Sequence, residues 1–442
     1  MTGSVFYRSP RHQYPLGMRG EGVYLYDSTG KQYLDGSGGA AVSCLGHGNA
    51  EVIEAVREQV GKLAYAHTAF FTNEPQEALA AGVASRFSEA NARVYFSAGG
   101  SEANETAIKL AKQYWMAKGQ PSKSVFISRH QSYHGNTLGA LALSGSPGRR
   151  AIYQSIISDW PKIEPCYPYR LQQENESDED YAERAANSLD TAIVAAGAEN
   201  VAAFFAETVS GATLGAATAV SGYFERIREI CDRHDVLLVL DEVMCGSGRT
   251  GSYFAFEQEG VLPDIVTVAK GLGGGYQPLG AAICRDFVHQ AIIDAYGEFS
   301  HGHTYVGHAT ACAAGVAVQS VLDKEKLLDN VIARGEQLRV LLKSTFQNHP
   351  HVGDFRGRGL FIGIELVRDR ESKKPPSAEL GLPTWLKNRA MEEGLICYPG
   401  GGTVDGKNGA HILLAPPFIY SDKNVEELVA KLAATLRDVK ID

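Results

Sequence analysis

No stretch of about 18 consecutive apolar residues, the length a helix needs to span a bilayer, occurs in this sequence. The N-terminus, Met1-Thr2-Gly3-Ser4-Val5-Phe6-Tyr7-Arg8, lacks the apolar block of a secretory signal. Cysteine is scarce and scattered. The seven residues Cys44, Cys166, Cys231, Cys245, Cys284, Cys312 and Cys397 contain no C-x-x-C pair, which disfavours both a disulfide framework and a structural zinc site. Dense Lys/Arg runs are missing, and acidic residues outnumber basic ones by 51 to 42, for a formal net charge of −9. Nonspecific nucleic-acid binding is therefore disfavoured. H-E-x-x-H is absent, and neither the pair His130 and His134 nor the group His301, His303 and His308 makes a convincing ligand set. A zinc hydrolase is disfavoured and no metal is expected. Tandem repeats and low-complexity tracts are also lacking. The expectation is a reduced, cytoplasmic protein without membrane or nucleic-acid partners.

What is present reads as a soluble enzyme. The 442 residues are 44% hydrophobic and 21% charged, which predicts two or three domains. Short β-rich runs alternate with helical patterns in the middle of the chain. Strands are predicted at Arg93–Ser97, Ser124–Ser128, Val201–Ala206, Val236–Leu240, Asp264–Val268 and Gly280–Cys284, and helices at Ser101–Ala117, Ser221–His234 and Ala309–Leu322. That alternation implies βαβ units and a mostly parallel sheet covered on both faces. Val236–Leu240 is continuously apolar, as a strand buried on both faces should be. Ligands in such folds sit at the carboxyl ends of strands, so Asp241 should face the site. Residues 171–184 are the most polar stretch and read as a surface excursion. Beyond about residue 320 the pattern shifts to long helices and short strands such as Leu360–Leu366, which suggests a second domain joined by the N-terminal segment.

Three segments could carry chemistry. Ala98-Gly99-Gly100-Ser101 follows a predicted strand and opens a helix, where free N–H groups favour a phosphate; a plain helix cap by Ser101 is the alternative. Asp241, just past a buried strand, could be a metal ligand, an acid/base group or the partner of a cationic ring nitrogen. Lys270 ends an apolar strand and enters the glycine-rich run Gly271–Gly275. A desolvated amine there would have a lowered pKa, as a lysine that condenses with carbonyls needs; a lysine snorkelling to the surface is the alternative. Gly246-Ser247-Gly248-Arg249-Thr250-Gly251 matches G-x-G-x-x-G, but the following Ser252–Phe256 does not open a small-residue helix, so a dinucleotide loop is disfavoured.

Together, Gly100–Glu105, Tyr133-His134-Gly135, Leu240–Val243, Gly248–Gly251, Ala269-Lys270-Gly271 and His303-Thr304-Tyr305 closely resemble the class III aminotransferases, a branch of the fold-type-I enzymes that use pyridoxal 5'-phosphate. The resemblance implies an α/β fold: a large domain with a mostly parallel seven-stranded sheet covered by helices, plus a smaller α+β domain built from both termini. Its divisions would be residues 1–55, 56–320 and 321–442. Position by position, Lys270 resembles the lysine that forms the Schiff base with the cofactor, and Asp241 the residue paired with the pyridinium nitrogen. Tyr133 resembles the aromatic on one ring face and Val243 the apolar cover on the other. Gly100 and Ser101 resemble the phosphate cup, with His134 among the cofactor contacts and Glu207 near Asp241 and the 3'-oxygen. Thr304 resembles a threonine that reaches the phosphate of the partner subunit, which implies a homodimer with shared active sites; a tetramer stays open.

Departures narrow the subfamily. Where GABA- and ornithine-type members carry Glu-Pro-x-x-Gly-Glu, this chain has Glu207-Thr208-Val209-Ser210-Gly211-Ala212, and Met244 replaces their glutamine. Asp241–Gly251 and Leu414–Phe418 look more like the ω-amino acid:pyruvate and amine transaminases. The implied reaction moves an amino group from an ω-amino acid or primary amine to pyruvate or 2-oxoglutarate. A diaminobutyrate- or GABA-type activity, a decarboxylating transaminase, an aminomutase and a noncatalytic relative are the alternatives. The mobile arginine that such relatives use for the acceptor's carboxylate is missing. Lys407 is the nearest cation and is expected to take that carboxylate. Small residues fill Gly38–Ser43 where those relatives place tryptophan, implying a roomier donor pocket or replacement by Tyr14, Tyr153 or Phe71.

Overall fold

The computed structural model describes residues 4–10 and 12–441. At its centre is a seven-stranded sheet in the order Arg93–Ser97, Gly280–Cys284, Ile265–Val268, Leu237–Asp241, Val201–Glu207, Val125–Arg129 and Lys162–Ile163. Gly280–Cys284 runs antiparallel to both neighbours, and the other four pairings are parallel. The expected sheet is therefore the one observed.

Two apolar cores flank it, because successive side chains of a strand point to opposite faces. Phe204, Ala206, Leu238, Leu240, Val266 and Val268 join Leu189 and Ile193 of helix Asp178–Ala196 and Ile227 and Ile230 of helix Tyr223–Arg233. Ala203, Phe205, Leu237, Val239 and Ile265 meet Ala107, Leu110 and Ala111 of helix Gly100–Ala117 on the opposite side. Helices on both faces are what allows the three central strands to be apolar apart from Glu207, Asp241 and Thr267 at or next to their carboxyl ends.

The C-terminal part carries an antiparallel sheet in the order Val352–Arg358, Phe361–Leu366, Ala410–Leu414 and Tyr398–Gly401. Ile362, Ile364 and Ile412 share a core with Leu338 and Leu342 of helix Leu327–Phe346 and Leu428 and Leu432 of helix Asp422–Leu436. The N-terminal strands Gly17–Glu21, Tyr24–Asp27 and Gln32–Asp35 form a meander, which Leu395–Ile396 extends by pairing parallel to Gln32–Asp35. The two ends of the chain thus share a sheet.

One expectation fails. Residues 171–184 are not wholly an excursion, since helix Asp178–Ala196 begins inside them. Ser177 caps it by accepting from the Asp180 N–H, and Asp178, Glu179 and Asp180 fill the first turn. Acids are stabilised at a helix start, so the polarity that looked like a loop marks an N-terminus. Tyr181, one turn in, is buried and accepts from the Tyr167 N–H at 2.8 Å.

Candidate active site

The carboxyl ends of the central strands open into a cavity of about 400 Å³. Asp241, Glu207 and Thr267 are register neighbours on three adjacent strands. Each follows, at a spacing of two, residues that face helix Gly100–Ala117, so all three point to that layer. Asn104 from the helix meets them there. Its Nδ2 donates to Asp241 Oδ2 at 2.8 Å and to the His134 carbonyl at 2.7 Å, and its Oδ1 accepts from Thr267 Oγ1 at 2.9 Å. His134 Nδ1 lies 2.8 Å from the same Asp241 oxygen, and the Val243 N–H donates to Asp241 Oδ1 at 2.9 Å. The carboxylate is buried yet held on both oxygens, and it lines the cavity. Asn104→Ala should cost about 1–3 kcal/mol of stability by leaving buried partners unsatisfied, measured as a shift in the urea unfolding free energy.

Glu242, the next residue, points the other way. It accepts from the Ala255 and Phe256 N–H groups at 2.7 Å each and from Thr208 Oγ1 at 2.8 Å. Burial pushes its carboxyl up to about 7. Thr208 therefore supplies a hydroxyl that a proline at this place could not, and Glu242 braces the turn while Asp241 faces the cavity.

Lys270 leaves strand Ile265–Val268 through Ala269 and sits at φ +47°. Left-handed backbone is costly for an L-residue other than glycine, and it is held here by the short 3₁₀ turn Lys270–Leu272. The side chain lines the cavity, so it remains only half-buried by area. Protein nevertheless surrounds the amine. Desolvation lowers its pKa to about 8, with the Asp241 and Glu207 carboxylates opposing the fall. An amine that sheds its proton near neutrality is a competent nucleophile and proton carrier.

The cavity is also lined by the start of helix Gly100–Ala117, whose first-turn N–H groups have no intrahelical acceptors. Two glycines let other chain segments close in. A Cβ on Gly100 would lie 2.6 Å from Val243 Cγ1, and one on Gly135, at φ +134°, would lie 2.5 Å from Ser101 Oγ. Ser101 Oγ accepts from the Asn136 N–H at 3.1 Å, which leaves its own hydrogen to donate. Tight backbone, a free hydroxyl hydrogen and a helix N-terminus suit a phosphate. Tyr133 and Val243 line the same cavity. Glu207 Oε1 accepts from the Tyr133 N–H at 3.1 Å and Oε2 from the Gly211 N–H at 3.0 Å. Burial pushes the Glu207 carboxyl up, with His134 the strongest opposing influence.

Gly100, Ser101, Tyr133, His134, Glu207, Asp241, Val243 and Lys270 all line this one cavity. Thr304, Lys407, Tyr14 and Tyr153 do not. Thr304 is exposed, with its carbonyl accepting from Tyr65 Oη at 3.0 Å. Lys407 is exposed on a loop closed by Asp405, Tyr153 is exposed, and Tyr14 stacks on Tyr7 at 5.3 Å. Phe71 is exposed as well. From Gly38–Ser43 only Val42 lines the cavity, and Val209, Met244, Gln277 and Pro278 are among the other wall residues. Asn104 and Thr267 escape sequence reasoning because each reads as an ordinary helix or strand residue; only the alternation of faces could have singled them out.

The glycine-rich decoy is a set of turns, with positive φ at Ser247, Gly248 and Gly251, and no helix follows it before the short 3₁₀ segment Ala255–Glu259. Arg249 within it is fully buried and donates to the Leu360 and Pro416 carbonyls. Among the described residues, no helix is long and apolar enough to cross a membrane.

Residues 7–436 match the family described as aminotransferase class-III. An uncharacterized aminotransferase of Schizosaccharomyces pombe is 44% identical over 98% of this chain and 94% of its own length. The (S)-enantioselective omega-transaminase of Thermomicrobium roseum superposes with a TM-score of 0.90 at 36% identity, over 97% of this chain and 93% of that one. The omega-transaminase of Pseudomonas jessenii in complex with PMP gives a TM-score of 0.89 at 33% identity, over 96% and 92%.

Proposed function

The chain belongs to the class-III aminotransferases, and from that premise we propose that it uses pyridoxal 5'-phosphate to move an amino group from an ω-amino acid or primary amine to a 2-oxo acid. One observation carries the reading: a desolvated lysine amine, a buried carboxylate and a helix N-terminus line one cavity. Amine, carboxylate and helix N-terminus match in kind the aldehyde, pyridine nitrogen and phosphate of one small molecule. When bound, the cofactor supplies a carbonyl that takes up amines and a ring that absorbs the electrons of a breaking Cα–H bond.

Lys270 Nζ would hold the cofactor at rest and, once released, carry the proton between the substrate carbon and the cofactor carbon. Asp241 would keep a proton on the ring nitrogen, its own position fixed by Asn104 and His134. Tyr133 and Val243 would cover the two ring faces and keep water away. The Gly100 and Ser101 N–H groups and the Ser101 hydroxyl would hold the phosphate. Glu207 would stand beside Asp241 at the 3'-oxygen side. We further propose a homodimer in which Thr304 reaches the partner's phosphate; the exposure of Thr304 and of the large apolar side chains Tyr305, Phe70 and Phe71 supports it.

Two measurements test the reading. A screen of amines against the purified, cofactor-loaded protein, followed by absorbance, should find at least one that converts the cofactor to its amine form without releasing CO₂. CO₂ release would favour the decarboxylating alternative, and no response to any amine would overturn the proposal. The rate at which cofactor-free protein captures pyridoxal 5'-phosphate should rise with pH and level off through about 8. The sign follows from the nucleophile being the neutral amine, whose share grows as pH passes the lowered pKa. A midpoint at the ordinary lysine value of 10.5 would show that the amine is not desolvated.

A further inference from the structure

We infer that Arg149 is the residue that takes the carboxylate of the 2-oxo acid at the mouth of the cavity, an assignment that rests on the transamination reading. A 2-oxo acid brings a negative charge next to the carbonyl that must react. The cavity wall already carries the Asp241 and Glu207 carboxylates, and Lys270 is the one lysine or arginine among the described lining residues. An entering anion therefore needs a cation placed outside the wall, and the mobile arginine expected near the C-terminus is missing.

The Arg149 guanidinium lies 4.5 Å from the centre of the Tyr133 ring, and Tyr133 lines the cavity. Stacking fixes the plane of a guanidinium and leaves its N–H edges free, the arrangement a carboxylate fork needs. Arg149 is exposed and has no carboxylate partner among the described residues, whereas Arg150 is engaged by Asp159 at 3.0 Å and by the Ser144 carbonyl at 3.2 Å. Its charge is felt at Tyr133. Burial raises the Tyr133 phenol, and Arg149 is the strongest influence holding it down, with Arg8 adding in the same sense.

A Cβ on Gly406 would lie 2.5 Å from Pro147 Cδ, and Gln131 Nε2 donates to the Gly402 carbonyl at 3.0 Å. The loop that carries Lys407 thus packs on the turn that carries Arg149, and a cation on either loop could serve one mouth. Arg149 is the one anchored on a wall residue. Lys407 is held through its backbone, with its N–H donating to Asp405 Oδ1.

The test uses the cofactor-loaded enzyme with two acceptors of similar size, pyruvate and propanal, of which only the first has a carboxylate. In Arg149→Gln the ratio of the pyruvate KM to the propanal KM should rise about 10- to 100-fold, the scale of a lost charge-assisted hydrogen bond. Arg149→Lys should fall between the two. An unchanged ratio, or a rise in Lys407→Ala but not in Arg149→Gln, would overturn the assignment and leave transamination standing. If the unaltered enzyme accepted an amine from no donor, the transamination reading itself would fall.

Discussion

Replacing Lys270 by alanine is expected to lower turnover by at least about 10⁴-fold, the upper range for losing a positioned general base. In the proposed reaction the side chain has two roles that no neighbour can assume. Among the described lining residues no other lysine is present to hold the cofactor, and the remaining basic groups are committed. His134 is turned to Asp241, and Arg249 is buried among carbonyls. Borohydride reduction of the loaded wild-type protein should leave the cofactor's mass on the peptide containing residue 270, and the variant should show no such adduct. Turnover within tenfold of wild type would refute the role. The variant should remain folded, since alanine removes a desolvated amine and opens only onto an existing cavity.

Asp241→Asn should come next, with kcat lowered roughly 10²–10³-fold, as when one preorganised electrostatic group is removed from a transition state. Asparagine keeps the shape and can still accept from Asn104 and His134 through its amide oxygen, so the fold should persist. What is lost is the negative charge that, in the proposed role, keeps a ring nitrogen protonated. The effect should therefore appear in kcat and in the pH dependence of the bound cofactor's absorbance, with a smaller effect on donor KM. A variant altered only in cofactor affinity would mean that Asp241 anchors the ring without tuning it.

Six strands of the large sheet were legible in the sequence because they are short apolar runs spaced by helical patterns, and their ends shift by a single residue at most against the structure; the two-residue edge strand Lys162–Ile163 was not, being too short to carry a pattern. Arg93–Ser97 and Gly280–Cys284 match to the residue. The cavity wall was legible where chemistry-bearing residues stand at strand ends and helix starts, as at Asp241, Lys270 and Ser101. Asn104 was not, since a buried amide in a helix interior is distinguished only by what it touches across 137 residues of sequence. Helix Asp178–Ala196 was obscured because its capping acids resemble a solvated loop. The outer residues Thr304, Tyr14 and Tyr153 depend on how surfaces meet, which residue spacing along one chain does not encode.

The strict alternation of faces in the three central strands gives the site an arithmetic of its own. Asp241, Glu207 and Thr267 act together because each stands an even number of steps from residues packed on helix Gly100–Ala117. One residue gained or lost within any of these strands would turn that side chain into the opposite layer, however far from the cavity the change occurred. Parity, more than proximity, decides which changes of length this fold can absorb, and the connecting loops are where the chain is free to drift.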